Sequence, residues 1–240
     1  QTTGLVYVDN PSRPNLLVNP NWQIDQINEG ALYTSVSGSF PNGPDGWSLE
    51  SNGAGVYKVR TLADPDAASL KCLEITCTTV DAAMATTDVY AIYAAVEGYD
   101  LASSLVGTAS AQQVTLQFKF KTSVTGVYGI AFRNSAINRS YVGIITVADT
   151  SEHEYIVTLT LDTTGTWLYT NGVGCYVSIC LAAGSNFQTT AGAWGAGTFR
   201  TTSAQCNFMS STSNIAYLKR VQLIPGALVQ AYRPADIQKE

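Results

Sequence analysis

Residues 114–121 read Val-Thr-Leu-Gln-Phe-Lys-Phe-Lys, the clearest period-two pattern in the chain. Apolar and polar side chains alternate here with a period of two, which predicts an antiparallel strand with one face in the core and the other in solvent. Residues 155–161 alternate in the same manner. Turn-forming Asn-Gly pairs at positions 42–43 and 171–172 punctuate the chain between such stretches.

Many short strands and little helix are expected in the rest of the chain. One stretch, residues 87–95, has apolar side chains at helical spacing, and Gly98 is expected to end that helix. Numerous short strands separated by Gly and Asn turns predict an all-β protein, and we expect a jelly-roll-like antiparallel β-sandwich. The further strand candidates are residues 56–62, 70–78, 127–134, 141–147, 174–181, 205–209 and 217–224, the last closed by a Pro-Gly turn.

Prolines near the start of the chain separate an arm from the domain. Pro11 and Pro14 each fix the φ angle and bias the preceding residue away from helix, so they predict a stiff connector. Residues 1–14 are therefore expected to form a short N-terminal extended arm, in which the strand-like residues 5–8 act as a stem or a contact. Residues 15–240 are expected to form a single sandwich domain, since one sandwich often reaches this length.

The charge composition argues against two classes of partner. The net charge is −5 and the pI is near 4.8, and Lys and Arg occur in isolated pairs, whereas a phosphate backbone needs clustered basic side chains. No apolar run has the length that a bilayer span needs. We therefore expect no nucleic-acid binding and no membrane insertion. The N-terminal residues have neither an initiator Met nor a signal-type stretch, which indicates a processed chain or an excised fragment.

The five cysteines do not have the spacing of a disulfide framework. Their odd number is typical of a protein made in a reducing cytosol, so no disulfide is expected. Cys72 and Cys77, like Cys175 and Cys180, are separated by an odd number of positions, which on a strand points the two sulfur atoms to opposite faces. Zinc needs four converging ligands, so we expect buried cysteines and no zinc.

No catalytic constellation is assembled in the sequence, and we expect no enzyme. His153, the only histidine, lies at a strand entrance, and no nucleophile elbow accompanies it, so an exposed histidine is expected. The glycines at 192, 195 and 197 do not match a dinucleotide fingerprint, because no βαβ unit surrounds them. A carboxylate pair for glycoside hydrolysis stays open as an alternative, with the candidates Glu97, Asp100, Glu152 and Glu154.

The aromatic residues carry the binding hypothesis. Trp22 and Trp47 lie at predicted strand starts and are expected in the core. Trp194 lies in a loop, residues 187–199, that is too rich in small residues to be a core element. Its ring is expected either to plug this loop onto its own sheet or to contact a glycan or a neighbouring subunit. The candidate ligand- or subunit-binding residues are Trp194, Phe187, Phe199, Trp167 and Tyr169, the last two of which flank a turn at 170–172.

Landmarks along the chain resemble a domain found near the C-terminus of bacteriophage tail-fibre and related virion proteins. The closing segment, residues 216–234, contains Val-Gln-Leu-Ile-Pro-Gly and then an aromatic residue with an Arg-Pro pair, close to that family's closing strand. The sequence departs from the family at Ile224, where Glu is usual, and it lacks the Cys-Gln-Arg-Tyr tail, because the chain stops at residues 237–240. The other matching segments, in order, are residues 15–26 as the opening strand, 43–47, 96–101, 114–121, 181–187 and 193–197.

The resemblance implies a bacteriophage virion structural protein with a sandwich similar to carbohydrate-binding modules. It implies a tail-fibre or appendage domain that is made in the host cytoplasm, forms a homotrimer and contacts other virion proteins. Such a domain would adhere to host surface polysaccharide, with avidity from repeated copies. A capsid-decorating or head-spike protein, and a glycan-cleaving virion enzyme, stay as alternatives. No cofactor is expected beyond a structural calcium, which such sandwiches often hold; Asp25, Asp45 or Asp100 would supply oxygen ligands, although no Asp-x-Asp-x-Asp-Gly loop exists.

Overall fold

The computed structural model describes residues 15–35, 43–227 and Tyr232. These residues form a sandwich of two six-stranded antiparallel sheets, so the predicted all-β fold class is confirmed. The predicted arm, residues 1–14, lies outside the described residues, and the extent of the domain to residue 240 stays a prediction. The strands are β1 (Tyr33–Thr34), β2 (Trp47–Asn52), β3 (Val56–Asp64), β4 (Ala67–Thr79), β5 (Val89–Glu97), β6 (Gln113–Thr122), β7 (Gly126–Asn134), β8 (Arg139–Val147), β9 (His153–Thr160), β10 (Val173–Ala183), β11 (Trp194–Ala196) and β12 (Ile215–Pro225), and the helix α1 is Gly98–Ala102.

The chain passes repeatedly from one sheet to the other. The first sheet has the strand order β1-β3-β4-β12-β6-β9, and the second sheet has the order β11-β8-β7-β10-β5-β2. The last strand, β12, therefore lies inside the first sheet, between β4 and β6. Gly226 follows β12 with a φ of 100°, which only glycine adopts readily, so the chain turns where the Pro-Gly pair predicts.

Strand β6 shows the predicted alternation on its inner face. Its four apolar side chains lie in the core between the two sheets. The prediction of a solvated outer face is wrong at Thr115 and Gln117, which are buried. The hydroxyl of Thr115 lies 3.0 Å from that of Thr158 and donates at 2.7 Å to a backbone carbonyl, and Gln222 donates to Gln117 at 2.9 Å. Hydrogen bonds to the neighbouring strands therefore satisfy this outer face.

Residues 87–95 lie mainly in strand β5, so the predicted helix is wrong. Strand β5 pairs with β2 on one side and with β10 on the other, so its backbone hydrogen bonds are satisfied within the sheet. Both faces of β5 are largely buried, so its apolar residues hide the period of two that marks a half-buried strand. Helix α1 begins at Gly98, where the predicted helix was expected to end.

Two other predicted strands are wrong. Residues 205–209 make one isolated bridge to Val127, and a 3-10 turn follows at Phe208–Ser210. The segment 15–26, expected as an opening strand, forms turns instead. Trp22 in this segment has a φ of 52°, a left-handed conformation that a strand does not contain.

The two tryptophans predicted for the core are buried there. Trp22 is fully buried and Trp47 nearly so, and their ring centroids lie 5.1 Å apart. The indole N–H of Trp47 donates at 3.1 Å to the carbonyl of Asn19, and the side-chain amide of Asn19 donates at 2.7 Å to the carbonyl of Ile24. These contacts hold the turns of residues 15–26 against the start of β2.

All five cysteines have free sulfur atoms, and four of them are buried. Cys77 and Cys175 lie in the core between the sheets, whereas Cys180 packs with Val89 in a separate cluster. This separation agrees with the assignment of opposite faces from strand parity. Burial raises the pKa of Cys175 and of Cys180 to about 12.

In the native protein, we expect a thiol reagent such as dithiobis-nitrobenzoate to react first with Cys206, which is partly accessible. The other four should react only when the chain unfolds, because burial keeps their thiols protonated and out of reach. Absorbance titration without reductant measures both phases, and the Cys206→Ser variant should lose the native phase. Two or more missing thiols in the unfolded chain would show that disulfides form.

A buried lysine connects three carboxylates on the outer side of the first sheet. The side chain of Lys219, in β12, is 5% exposed, and its Nζ lies 3.0 Å from both Asp64 and Asp66 and 2.7 Å from Glu152. Glu152 also pairs with Lys119 at 3.0 Å. Removing one member of such a buried network leaves charge without compensation.

We expect Lys219→Met to lower the free energy of unfolding by about 3–5 kcal/mol, because the fully buried carboxylate of Asp64 loses its nearest cation. Denaturant unfolding followed by fluorescence measures this change. Arg60→Met is the matched control: Arg60 pairs with Glu74 at 2.7 Å but is 42% exposed, so solvent screening should make its loss cost clearly less than the loss of Lys219. Equal costs for the two variants would contradict this ranking.

Candidate functional site

Of the five aromatic residues predicted to bind a ligand or a subunit, Trp167 lies beside Trp194 and, against Gly107, beside the hydroxyl of Tyr169. Trp194 and Trp167 lie together beside the edge of the second sheet, with ring centroids 5.3 Å apart. Phe187 and Phe199 belong to the segment between β10 and β12 that packs on the outer side of the second sheet. Tyr169 lies near the residues after α1, where its hydroxyl is hydrogen-bonded to a backbone carbonyl.

Trp194 belongs to a short edge strand rather than to a free loop. It begins β11, which pairs with β8, and its ring lies 5.8 Å from that of Tyr141 across the pair. Its indole N–H donates at 2.8 Å to the carbonyl of Thr160, and the ring is partly buried against the core. These contacts fit the plug interpretation on one side of the ring. Contact of its other side with a ligand stays a prediction.

A cleft of about 510 Å³ adjoins Trp194. On its wall the guanidinium of Arg139 makes a two-point ion pair with Asp162, at 2.6 and 2.7 Å. The same guanidinium donates at 2.9 Å to the hydroxyl of Thr164. The charged groups of this cleft therefore bind each other, and the cleft offers mainly its shape and the aromatic side chains of Trp194 and Tyr141.

We expect Trp194→Ala to lower the free energy of unfolding by roughly 2–3 kcal/mol, because the lost ring packs on Trp167 and Tyr141 but is only partly buried. Thermal unfolding measures this, and Trp194→Phe should recover most of the loss. If the ring is also an interface anchor, Trp194→Ala should weaken binding of a glycan or a neighbouring subunit by about 1–3 kcal/mol. A lower melting temperature with unchanged binding would show that the ring has the plug role alone.

A second group of aromatic and charged residues lies on the outer face of the second sheet. Tyr93 in β5 and Tyr176 in β10 are diagonal neighbours, because Tyr176 is opposite Ala95 and Tyr93 is opposite Ser178. Their rings are half-buried and meet edge to face, with centroids 5.6 Å apart. Both strands lie inside the sheet with partners on each side, so the rings stand on a rigid base.

Arg133 in β7 lies beside this tyrosine pair. It is directly opposite Tyr176, and the centre of its guanidinium lies 5.4 Å from the centroid of that ring, within reach of a cation–π interaction. Its side chain is only 4% exposed. The neighbouring outer-face positions, Ala131 and Ser178, carry small side chains, which leave room for Arg133 to lie along the sheet.

Glu50 in β2 is the carboxylate of this face. Its two oxygens accept hydrogen bonds from Arg200 at 2.9 and 2.7 Å, and one oxygen lies 3.7 Å from Arg133. Burial by itself raises the pKa of Glu50, but the hydrogen bonds and charge of Arg200 and the charge of Arg133 outweigh it and lower that pKa. Glu50 is therefore a carboxylate at neutral pH.

Arg200 is held from several sides. Its Nη1 donates to the backbone and side chain of Thr198, at 2.6 and 2.9 Å, and its guanidinium lies 5.6 Å from the ring of Phe187. Gly129 in β7 permits this approach, because a side chain there would collide with the backbone of residues 200–201. We call Tyr93, Tyr176, Arg133, Glu50 and Arg200 together the tyrosine–arginine face.

The pairing of Arg133 is incomplete. Its Nε is buried and has no hydrogen-bond partner among the residues that the structure describes. Burial first, and then the charge of Arg200, lower the pKa of Arg133 to about 10, although Glu50 opposes this shift. Arg133 is thus still a cation at neutral pH, and the face holds two guanidinium groups against one carboxylate.

Sequence reasoning missed the tyrosine–arginine face. The helical interpretation of residues 87–95 placed Tyr93 on one face with its apolar neighbours. A period of two through β5 would have placed Tyr93 opposite to Ile92 and Ala94, on the side that Tyr176 occupies in β10. The ion pairs of this face have no signal in the sequence, because Glu50 and Arg200 are 150 positions apart.

The acidic candidates lie in two places in the described part of the chain, Glu152 and Glu154 at the start of β9 and Glu97 and Asp100 at the start of α1. Glu152 is bound by two lysines, and Glu154 accepts a hydrogen bond from Gln117 at 2.7 Å. Glu97 and Asp100 are exposed beside the start of α1. His153 is exposed at the start of β9, as predicted, and its Nε2 lies 2.9 Å from Asp149.

Two of the carboxylates considered for calcium, Asp25 and Asp45, accept hydrogen bonds within the chain. Asp25 accepts hydrogen bonds from the hydroxyl of Tyr33, from the backbone N–H of Gly30 at 2.7 Å and from Thr61 at 3.2 Å. Asp45 accepts one from a backbone N–H at 2.8 Å. Among the described residues, no group of three or more His, Cys, Asp and Glu side chains is placed to hold a metal.

No helix in the described ranges has the length and apolar content that crossing a bilayer takes.

Comparisons with known proteins give similarities of fold. No family model matches the chain, and no curated protein matches it. A CBM4 structure is 13% identical, with a TM-score of 0.40, over 87% of this chain and 99% of its own. The family 11 carbohydrate-binding module from Clostridium thermocellum, in complex with a β-1,3-1,4-mixed-linked tetrasaccharide, is 12% identical, with a TM-score of 0.41, over 82% and 96%. The enzymatically active domain of bacteriophage CBA120 tailspike protein 4 is 9% identical, with a TM-score of 0.39, over 88% of this chain and 21% of that chain.

Proposed function

We propose that the chain is a glycan-binding module and that the sugar stacks on Tyr93 and Tyr176 of the tyrosine–arginine face. The observation that carries this proposal is the pair of partly exposed rings, with centroids 5.6 Å apart and charged side chains beside them. Binding sites for small molecules combine aromatic surface with a few placed polar groups. A pyranose has apolar C–H faces that pack on aromatic rings and hydroxyls that hydrogen-bond to Arg and Glu.

Rigidity supports a binding role for this face. Tyr93 and Tyr176 project from interior strands, and Arg133 and Glu50 are fixed by ion pairs and by the ring of Tyr176. A tyrosine has only two side-chain torsions to immobilise, so it binds at a small cost in conformational entropy. A site built on strands in this way is preorganised, which raises affinity without new contacts.

We further propose that this module belongs to a bacteriophage tail fibre or comparable virion appendage that adheres to host surface polysaccharide. The ordered landmarks between residues 15 and 234 support this placement, and so does the low share of charged residues, 13%, which suits packing between subunits. A homotrimer would present three copies of the face, and avidity would then compensate for weak single sites. The alternative is a head-spike or capsid-decorating position, and imaging of labelled virions would distinguish it from a position on a tail appendage.

We expect Tyr176→Ala and Tyr93→Ala each to weaken glycan binding by about 1–3 kcal/mol, or roughly 5- to 150-fold, because each removes one stacking ring. An array of bacterial surface oligosaccharides identifies a binder, and calorimetry then measures the affinity. Tyr176→Phe keeps the ring and should keep most of the affinity. Tyr99→Ala is the matched control, because Tyr99 is 62% exposed and lies outside the tyrosine–arginine face.

Three outcomes would contradict the proposal. Binding that survives both tyrosine variants but is lost in Trp194→Ala would move the site to the cleft beside β11. Absence of binding to every oligosaccharide would refute the glycan-binding function. Release of reducing sugar from a bound oligosaccharide, lost in Glu97→Gln or Glu152→Gln, would establish the enzymatic alternative.

A further inference from the structure

We infer that the glycan bound on the tyrosine–arginine face carries a carboxylate, as a uronic acid does, and that Arg133 pairs with it. This inference rests on the proposed function, because it names the class of sugar for the same face.

The charges of this face do not balance among the described residues. Glu50 gives both of its oxygens to Arg200, at 2.9 and 2.7 Å. Its distance of 3.7 Å from Arg133 is too long for a hydrogen bond. Two buried guanidinium groups therefore share one carboxylate, in a chain whose net charge is −5.

Burial makes this imbalance costly. The side chain of Arg133 is 4% exposed and that of Arg200 is 2% exposed. A buried charge destabilises a protein when one of its donors has no partner, as holds for Nε of Arg133 among the described residues. A carboxylate from outside the chain would offset the excess positive charge of the two guanidinium groups, and it would contact the small exposed part of Arg133, because Nε itself is buried.

Packing alone does not account for an arginine at this position. An apolar side chain of similar length could fill the same volume and would leave no incompletely paired charge. The cation–π contact with Tyr176, at 5.4 Å, offsets only part of the desolvation. The same contact places the guanidinium beside a ring on which the sugar is proposed to stack. An exocyclic carboxylate projects from the rim of a stacked sugar, toward such a position.

Matched oligosaccharides test the inference directly. The probes are tetragalacturonate, an alginate tetramer and a hyaluronan tetrasaccharide, each compared with its carboxyl-reduced form, in which the carboxylate is replaced by a hydroxymethyl group. Calorimetry at fixed salt should show that the protein binds at least one acidic form about 10- to 100-fold more tightly than its reduced form, as expected for hydrogen bonds to a charged group. Dextran sulfate should bind more weakly than that acidic form.

Variants assign the preference to Arg133. In Arg133→Gln, the acidic and reduced forms should bind with similar affinity, whereas Arg60→Gln, which removes an exposed arginine of the other sheet, should keep the preference. Arg133→Lys keeps the charge but not the fork of donors, and it should keep a reduced preference. It therefore tests the assignment if the glutamine variant does not fold, as judged by circular dichroism.

The outcomes separate the inference from the proposed function. Equal binding of acidic and reduced forms by the unaltered protein, with loss of both in Tyr176→Ala, would overturn the inference and leave glycan binding in place. A preference that survives in full in Arg133→Gln or Arg133→Lys would overturn the role of Arg133. Equal affinity for dextran sulfate would show attraction to charge rather than recognition of a carboxylate. If the protein bound neither these probes nor any other oligosaccharide, the proposed function itself would be refuted.

Discussion

The pairing of β5 with β10 is the interaction on which the candidate site depends. Its register makes Tyr93 and Tyr176 diagonal neighbours on the outer face and at the same time directs Ile92 and Ile179 into the core. A slip of either strand by one position would turn its tyrosine inward and the apolar neighbours of that tyrosine outward. Burial of the inner face fixes the register, and the register in turn fixes the positions of the side chains on the outer face. A surface built in this way is as rigid as the core beneath it.

Much of the fold was predictable because half-buried antiparallel strands carry their own signal. Strands β6 and β9 alternate visibly, and the predicted ranges for β3, β4, β7, β8, β10 and β12 agree with the structure apart from their ends. The residues of β5 were predicted wrongly because burial of both faces removes the alternation of apolar and polar side chains. The polar outer face of β6 was predicted to lie in solvent, and this prediction was wrong for the opposite reason. Thr115 and Gln117 are polar but buried, because hydrogen bonds across the sheet replace those to water. The alternation along a strand shows which side chains are polar and which are apolar. It predicts their burial only where no other part of the chain covers the polar face.

The candidate site was less predictable than the fold. Aromatic residues in glycine-rich segments drew attention to Trp194, whose strand pairing and ring contacts give it a packing role. The tyrosine–arginine face is assembled from β2, β5, β7, β10 and a segment that follows β10, so no local pattern contains it. Among the residues that the structure describes, Nε of Arg133 has no hydrogen-bond partner, and this is a property of three-dimensional packing that a sequence pattern does not carry.

Recognition of an acidic glycan by a chain of net charge −5 would have to be local. At physiological salt, charges are screened beyond about 8 Å, so the scattered acidic side chains repel a polysaccharide only weakly once it is close. Within the face, Arg133 and Arg200 act in a partly desolvated setting, where a charge interaction is stronger than in water. Capture would therefore gain no rate from long-range steering. Attachment would depend instead on slow release from several weak sites engaged together, which is the regime in which repeated copies on an appendage have their largest effect.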